Sequence, residues 1–96
     1  MRFSDLIERQ LKMFREDYAD VIQACAEAER AYDRAPREEA EERYSRYLDL
    51  VETGSEILAE MRDEYRSRLD EATAEAYEDA FNRAVAKRLP RFSLEL

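Results

Sequence analysis

Carboxylates are the only reactive side chains this sequence offers in number. Glu38, Glu39, Glu41 and Glu42 form one cluster, and Glu60, Asp63 and Glu64 another. Paired carboxylates can share a proton or hold a metal ion, and di-metal helical bundles do the latter with inward Glu and a Glu-x-x-His motif. Histidine is absent from the chain. Its absence removes that motif, the commonest general base and the commonest metal ligand. Both clusters lie mainly off the apolar stripes described below, so they read as solvated faces. Ser and Thr have no neighbouring base to activate a hydroxyl. Cys25 stands between Ala24 and Ala26 on an apolar stripe and reads as a buried structural thiol. The chain's single Gly excludes the Gly-rich loops that cradle phosphates. No catalytic, metal or cofactor set is expected, and no enzymatic activity.

Binding chemistry is better represented. Of the six tyrosines, Tyr32, Tyr44 and Tyr47 are expected to gather at the turn end of a helical hairpin. Tyr combines a flat apolar body with a polar tip, which suits a partner or small ligand, and equally suits the rim of a thin core. Arg83, Lys87, Arg88 and Arg91, with Phe81 and Phe92, form the only basic-aromatic patch. It is too small for nucleic acid on so acidic a chain; complementing a helix dipole and anchoring the tail are its expected roles.

Sixteen Lys and Arg against 24 Asp and Glu give a net charge of −8. Nucleic acid and anionic membranes need clustered cations, so neither is an expected partner. A basic protein is an allowed one. One cysteine cannot make an intramolecular disulfide, and a reducing cytosol is the simplest location. The N-terminus has no apolar run of a signal peptide, and no stretch approaches a membrane span.

The elements that must position these groups are helices. Leu, Ile, Val and Phe number only 19 of 96 residues, near the level of disordered chains, but their order is strictly periodic. From Ser4, read as an N-cap, a stripe runs Ile7, Leu11, Phe14, Tyr18, Val21, Cys25, Ala28, Tyr32, Ala35 in alternating steps of four and three. Pro36 disfavours a helical Ala35 and suits the first turn of a new helix. The second stripe runs Ala40, Tyr44, Tyr47, Val51, Gly54, Leu58, Met61, Tyr65 with the same steps. Because this stripe keeps phase through Gly54, the spacing predicts one continuous helix, despite a capping-box spacing at Thr53 and Glu56. Flanking apolar residues widen both faces beyond a two-stranded seam, as contact with a third helix requires.

A hairpin turning at Ala35-Pro36 would place Gly54 opposite Asp17, between Phe14 and Tyr18, at a close helix-helix contact. A break at 68–71, with Ser67 or Asp70 as cap, leads to a third helix whose apolar positions come in pairs: Ala76-Tyr77, Ala80-Phe81, Ala84-Val85. Pro90 ends it. The alternating tail Arg91-Phe92-Ser93-Leu94-Glu95-Leu96 reads as extended.

The expected fold is therefore all-α, a single helical-bundle domain over 1–96: a long antiparallel hairpin (helices about 4–34 and 37–68), a shorter third helix (71–88) and an extended tail (89–96). In length and hairpin shape the chain resembles the small secreted helical hairpins that turn on Trp-x-Gly. It has no Trp and turns at Ala35-Pro36, so the resemblance is one of shape and carries no family assignment.

The expected function is that of a non-enzymatic, cytoplasmic interaction or scaffold protein that self-associates, a dimer being favoured. The alternative is an acidic binding module or regulator that captures a basic partner protein. The candidate interface comprises Leu6, Ile22, Leu48, Leu50 and Ile57 on the hairpin. It continues with Tyr77, Phe81, Val85, Phe92, Leu94 and Leu96 on the third helix and tail, which are expected at or beside the subunit contact.

Overall fold

The structure, a computed structural model, describes residues 3–93. It is all-α: α1 (Ser4–Asp17), α2 (Ala19–Asp33), α3 (Ala40–Arg66) and α4 (Glu71–Arg88), with 3-10 turns at Arg37–Glu39 and Pro90–Phe92. No strand occurs among the described residues.

The core sits at one end. Ile7, Leu11 and Phe14 of α1, Leu58 of α3, and Tyr77, Phe81 and Val85 of α4 form one buried cluster with Phe3, Cys25 and Phe92. Tyr77 is its hub. Its ring meets Phe3 edge-on at 5.4 Å and packs against Tyr65 at 4.9 Å, and its hydroxyl donates to Gln10 Oε1 at 2.9 Å. The paired apolar positions of α4 let it touch α1 and α3 at once. A polar seam joins α3 to α4: Arg62 Nη1 donates to Asn82 Oδ1 at 2.9 Å, and Arg66 Nε lies 2.8 Å from Glu78 Oε1. At the start of α4, Asp70 caps the helix by accepting from the Thr73 N–H at 3.0 Å.

The first arm is not one helix over 4–34. It bends at Tyr18, which leaves helical geometry at φ −122° and ψ 33° although its N–H still bonds to Phe14 O. No Pro or Gly signals the bend. The Phe14 ring packs against both Tyr18, at 5.7 Å, and Phe92, edge-on at 5.8 Å, and Tyr18 stays partly exposed. Nor is Ser4 an N-cap: it is the first residue of α1, and no side chain caps that end.

The second arm is continuous through Gly54, and Thr53 Oγ1 bonds back to Asp49 O rather than forward as a cap. Gly54 is buried against Phe92 of the tail, not against the Phe14–Tyr18 step of the facing helix, and Asp17 is exposed. The tail, expected to be extended, coils into a turn at Pro90–Phe92, because this short turn delivers Phe92 into the core. The hairpin turn is longer than an Ala35-Pro36 break, since 34–39 form the connection. The register slides accordingly: Tyr32 meets Tyr44, where an even fold at 35–36 would have set it opposite Glu39.

Between Glu29 and Thr53 no residue is buried. This half of the hairpin is a bare two-helix arm, and it stretches the molecule to 51 × 24 × 19 Å.

Candidate functional site

The distal arm carries the expected aromatic cluster. The rings of Tyr32 and Tyr44 lie 5.1 Å apart, and those of Tyr44 and Tyr47 6.4 Å apart. The register brings them together: Tyr32 ends the stripe of α2, and Tyr44 and Tyr47 lie one turn apart at the start of α3. Tyr32 is 39% and Tyr44 44% exposed, so two of the three present ring surface to water. Leu48, one turn beyond Tyr44, is 44% exposed and extends the apolar strip along α3.

Arg91 anchors the near edge of this strip. Its Nη2 donates to Glu29 Oε1 at 2.7 Å and its Nε to the Tyr47 hydroxyl at 3.3 Å, and its guanidinium lies 5.9 Å from the Tyr47 ring centre. The bond to Tyr47, opposed by desolvation and helped by the Glu29 charge, raises the Arg91 pKa further. Composition marked Arg91 only as part of a basic patch. The link to Glu29 and Tyr47 spans 62 and 44 residues of chain and has no local signal.

The expected interface residues separate into three groups. Tyr77, Phe81, Val85 and Phe92 are corrected: all four are buried in the chain's own core, because α4 and the tail close the α1–α3 groove in cis. Leu6, Ile22, Leu50 and Ile57 are partly buried against that core. Leu48 is the one exposed member of the set among the described residues. Leu94 and Leu96 lie outside the described residues.

Other candidate chemistry is placed as follows. Cys25 is fully buried, and desolvation pushes its thiol pKa up, partly offset by Arg91. That is the opposite of an activated thiolate. Among the described residues no group of three His, Cys, Asp or Glu is arranged to hold a metal ion. None of the described helices is long and apolar enough to cross a membrane. Glu38, Glu41, Glu42 and Asp49 line a shallow acidic groove along α3 with Arg46 and Thr53. Comparison of the chain with protein-family models, curated proteins and solved structures finds no match in any of the three.

Proposed function

We propose that this chain is a non-enzymatic self-association module in which the distal arm of one copy packs against that of a second. The carrying observation is the absence of any buried residue from Glu29 to Thr53, a stretch that nonetheless bears Tyr32, Tyr44 and Leu48. Two such arms, laid antiparallel about a two-fold axis, make a four-helix bundle. Surface area agrees in size. The chain exposes 6749 Å², against about 5800 Å² for a compact monomer of its mass. The excess, about 1000 Å², is close to the ~800 Å² per partner that a standard interface buries. The radius of gyration, 15.4 Å, likewise exceeds the ~12.5 Å of a compact domain. The contact is placed on the arm rather than on Tyr77, Phe81, Val85 and Phe92, which are buried within the chain's own core. A reducing cytosol suits the free, buried Cys25.

The acidic groove of Glu38, Glu41, Glu42 and Asp49 supports the other reading, capture of a basic protein. Substitution separates the two. Leu48→Glu places a charge in the apolar strip and leaves the groove's carboxylates in place; it is expected to abolish self-association while the helical signal persists. A chain that stays monomeric, yet binds a basic protein in a salt-sensitive way that survives Leu48→Glu and Tyr44→Glu together, would favour the electrostatic alternative.

A further inference from the structure

The basic patch read from the sequence does not stay together in the fold. Arg91 turns to Glu29 and Tyr47, and Phe81 and Phe92 enter the core. Arg83, Lys87 and Arg88 remain, and they rim an open cleft of about 360 Å³ between the start of α1 and the end of α4. The cleft is apolar inside. Phe3 and Ile7 contribute core side chains on one wall, and the small residues Ala80 and Ala84, one turn apart on α4, leave the depression on the other. Glu8, the one carboxylate in the lining, is ion-paired with Arg88. Arg83 and Lys87 are exposed and have no ion-pair partner among the described residues. The α4 dipole explains cations in its last turn, Lys87 and Arg88. It does not explain Arg83 a turn earlier, nor an apolar floor beneath the charges.

We propose that this cleft binds a small anionic amphiphile, its short aliphatic body on the Phe3–Ile7–Ala80–Ala84 floor and its carboxylate or phosphate head between Arg83 and Lys87. The size falls within the ~300–1000 Å³ of small-molecule clefts. Charge complementarity selects the head: on a chain of net charge −8, two cations with no ion-pair partner among the described residues line the mouth of a largely apolar cleft. A neutral amphiphile would bury the same aliphatic area without the ionic contact. The site lies on the core end of the molecule and does not depend on pairing of the distal arms.

The test is a ¹H–¹⁵N NMR titration of the full chain with decanoate, decyl phosphate and decan-1-ol, each below its aggregation concentration. Saturable shifts centred on Ile7, Ala80 and Ala84 are expected with the anions. Decan-1-ol, and the anions added to an Arg83→Gln/Lys87→Gln variant, should bind roughly 3–10-fold more weakly, the loss of two exposed ionic contacts. Ala84→Leu, which fills the depression, should reduce anion binding further. Binding of only one anion supports the site and fixes its head group. Equal affinity for decan-1-ol, unchanged affinity in the double variant, shifts centred elsewhere, or no saturable shift with either anion would overturn it.

Discussion

The ring of Phe92 occupies the space where a β-carbon on Gly54 would stand. A Cβ built there would lie 2.6 Å from Phe92 Cδ1 and 3.1 Å from Cζ. The notch in α3 and the aromatic side chain of the tail are therefore one packing unit, and Phe14 completes it edge-on at 5.8 Å.

Gly54→Ala should be destabilising even though Ala is the better helix former by ~1 kcal/mol. Overpacking against the buried ring costs about 1–3 kcal/mol. Phe92→Ala removes a fully packed ring and should cost about 3–5 kcal/mol. In the Phe92→Ala background the sign of Gly54→Ala should reverse, because only the helix preference remains. Denaturant titration of the four proteins of this cycle gives the coupling directly. A Gly54→Ala effect that is the same in both backgrounds would show that ring and notch are not coupled.

Tyr77 gives the fold an alkaline limit. Burial, only partly offset by the hydrogen bond to Gln10, pushes its pKa up to about 12 from an ordinary 10. The folded state keeps the phenol proton where the unfolded state has lost it, so this contribution is intact below pH 10 and lost as pH rises from 10 towards 12. The fall amounts to about 2–3 kcal/mol. Chemical denaturation across that window should show this decline in the wild type and a smaller one in Tyr77→Phe. Parallel profiles would mean that Tyr77 is not the group responsible.

On the acid side, the cap of α4 adds a pH dependence of its own. Asp70 accepts from both the backbone N–H and the hydroxyl of Thr73, and these bonds lower its pKa below 3.8. A lowered carboxylate contributes above its unfolded pKa and stops contributing as pH falls through its folded value. Asp70→Asn should keep the cap and lose that pH dependence, whereas Asp70→Ala should lose the cap at neutral pH as well. Thermal melts between pH 2 and 6 separate these outcomes.

Asn82 is a buried polar residue in an otherwise apolar core, 2% exposed. Its Oδ1 accepts from Arg62, while its Nδ2 has no hydrogen-bond partner. Arg62→Met would leave the whole amide unpaired and should destabilise by about 1–3 kcal/mol. The double variant Arg62→Met/Asn82→Leu should recover part of that loss. Equilibrium unfolding of both variants decides it, and no recovery would contradict a polar origin for the cost.

Much of this architecture was legible in residue order. The four-three stripes gave the helices, and the phase of the second stripe carried α3 through Gly54. Asp70 announced the start of α4, and the Tyr32–Tyr44–Tyr47 cluster followed from a hairpin. What escaped depends on contacts distant in sequence. The bend at Tyr18 has no local breaker and lies where Phe92 packs on Phe14. The Phe92–Gly54 fit is made across the last part of α3 and the whole of α4, and alternation in the tail pointed instead to an extended strand. The register slipped because turn length is set by a 3-10 segment that Pro36 alone does not specify. With α4 and the turn at 90–92 folded back in cis, Tyr77, Phe81, Val85 and Phe92 became core, while Tyr32, Tyr44 and Leu48 stay exposed at the other end of the hairpin.

The proposed pairing through that distal arm is tested most directly by sedimentation of the intact chain over a range of micromolar concentrations, at low and high salt. A mass rising to twice the 11.4 kDa of one chain, retained in high salt and lost in Leu48→Glu, is the expected result. A folded species that stays at the monomer mass across the whole range would contradict it.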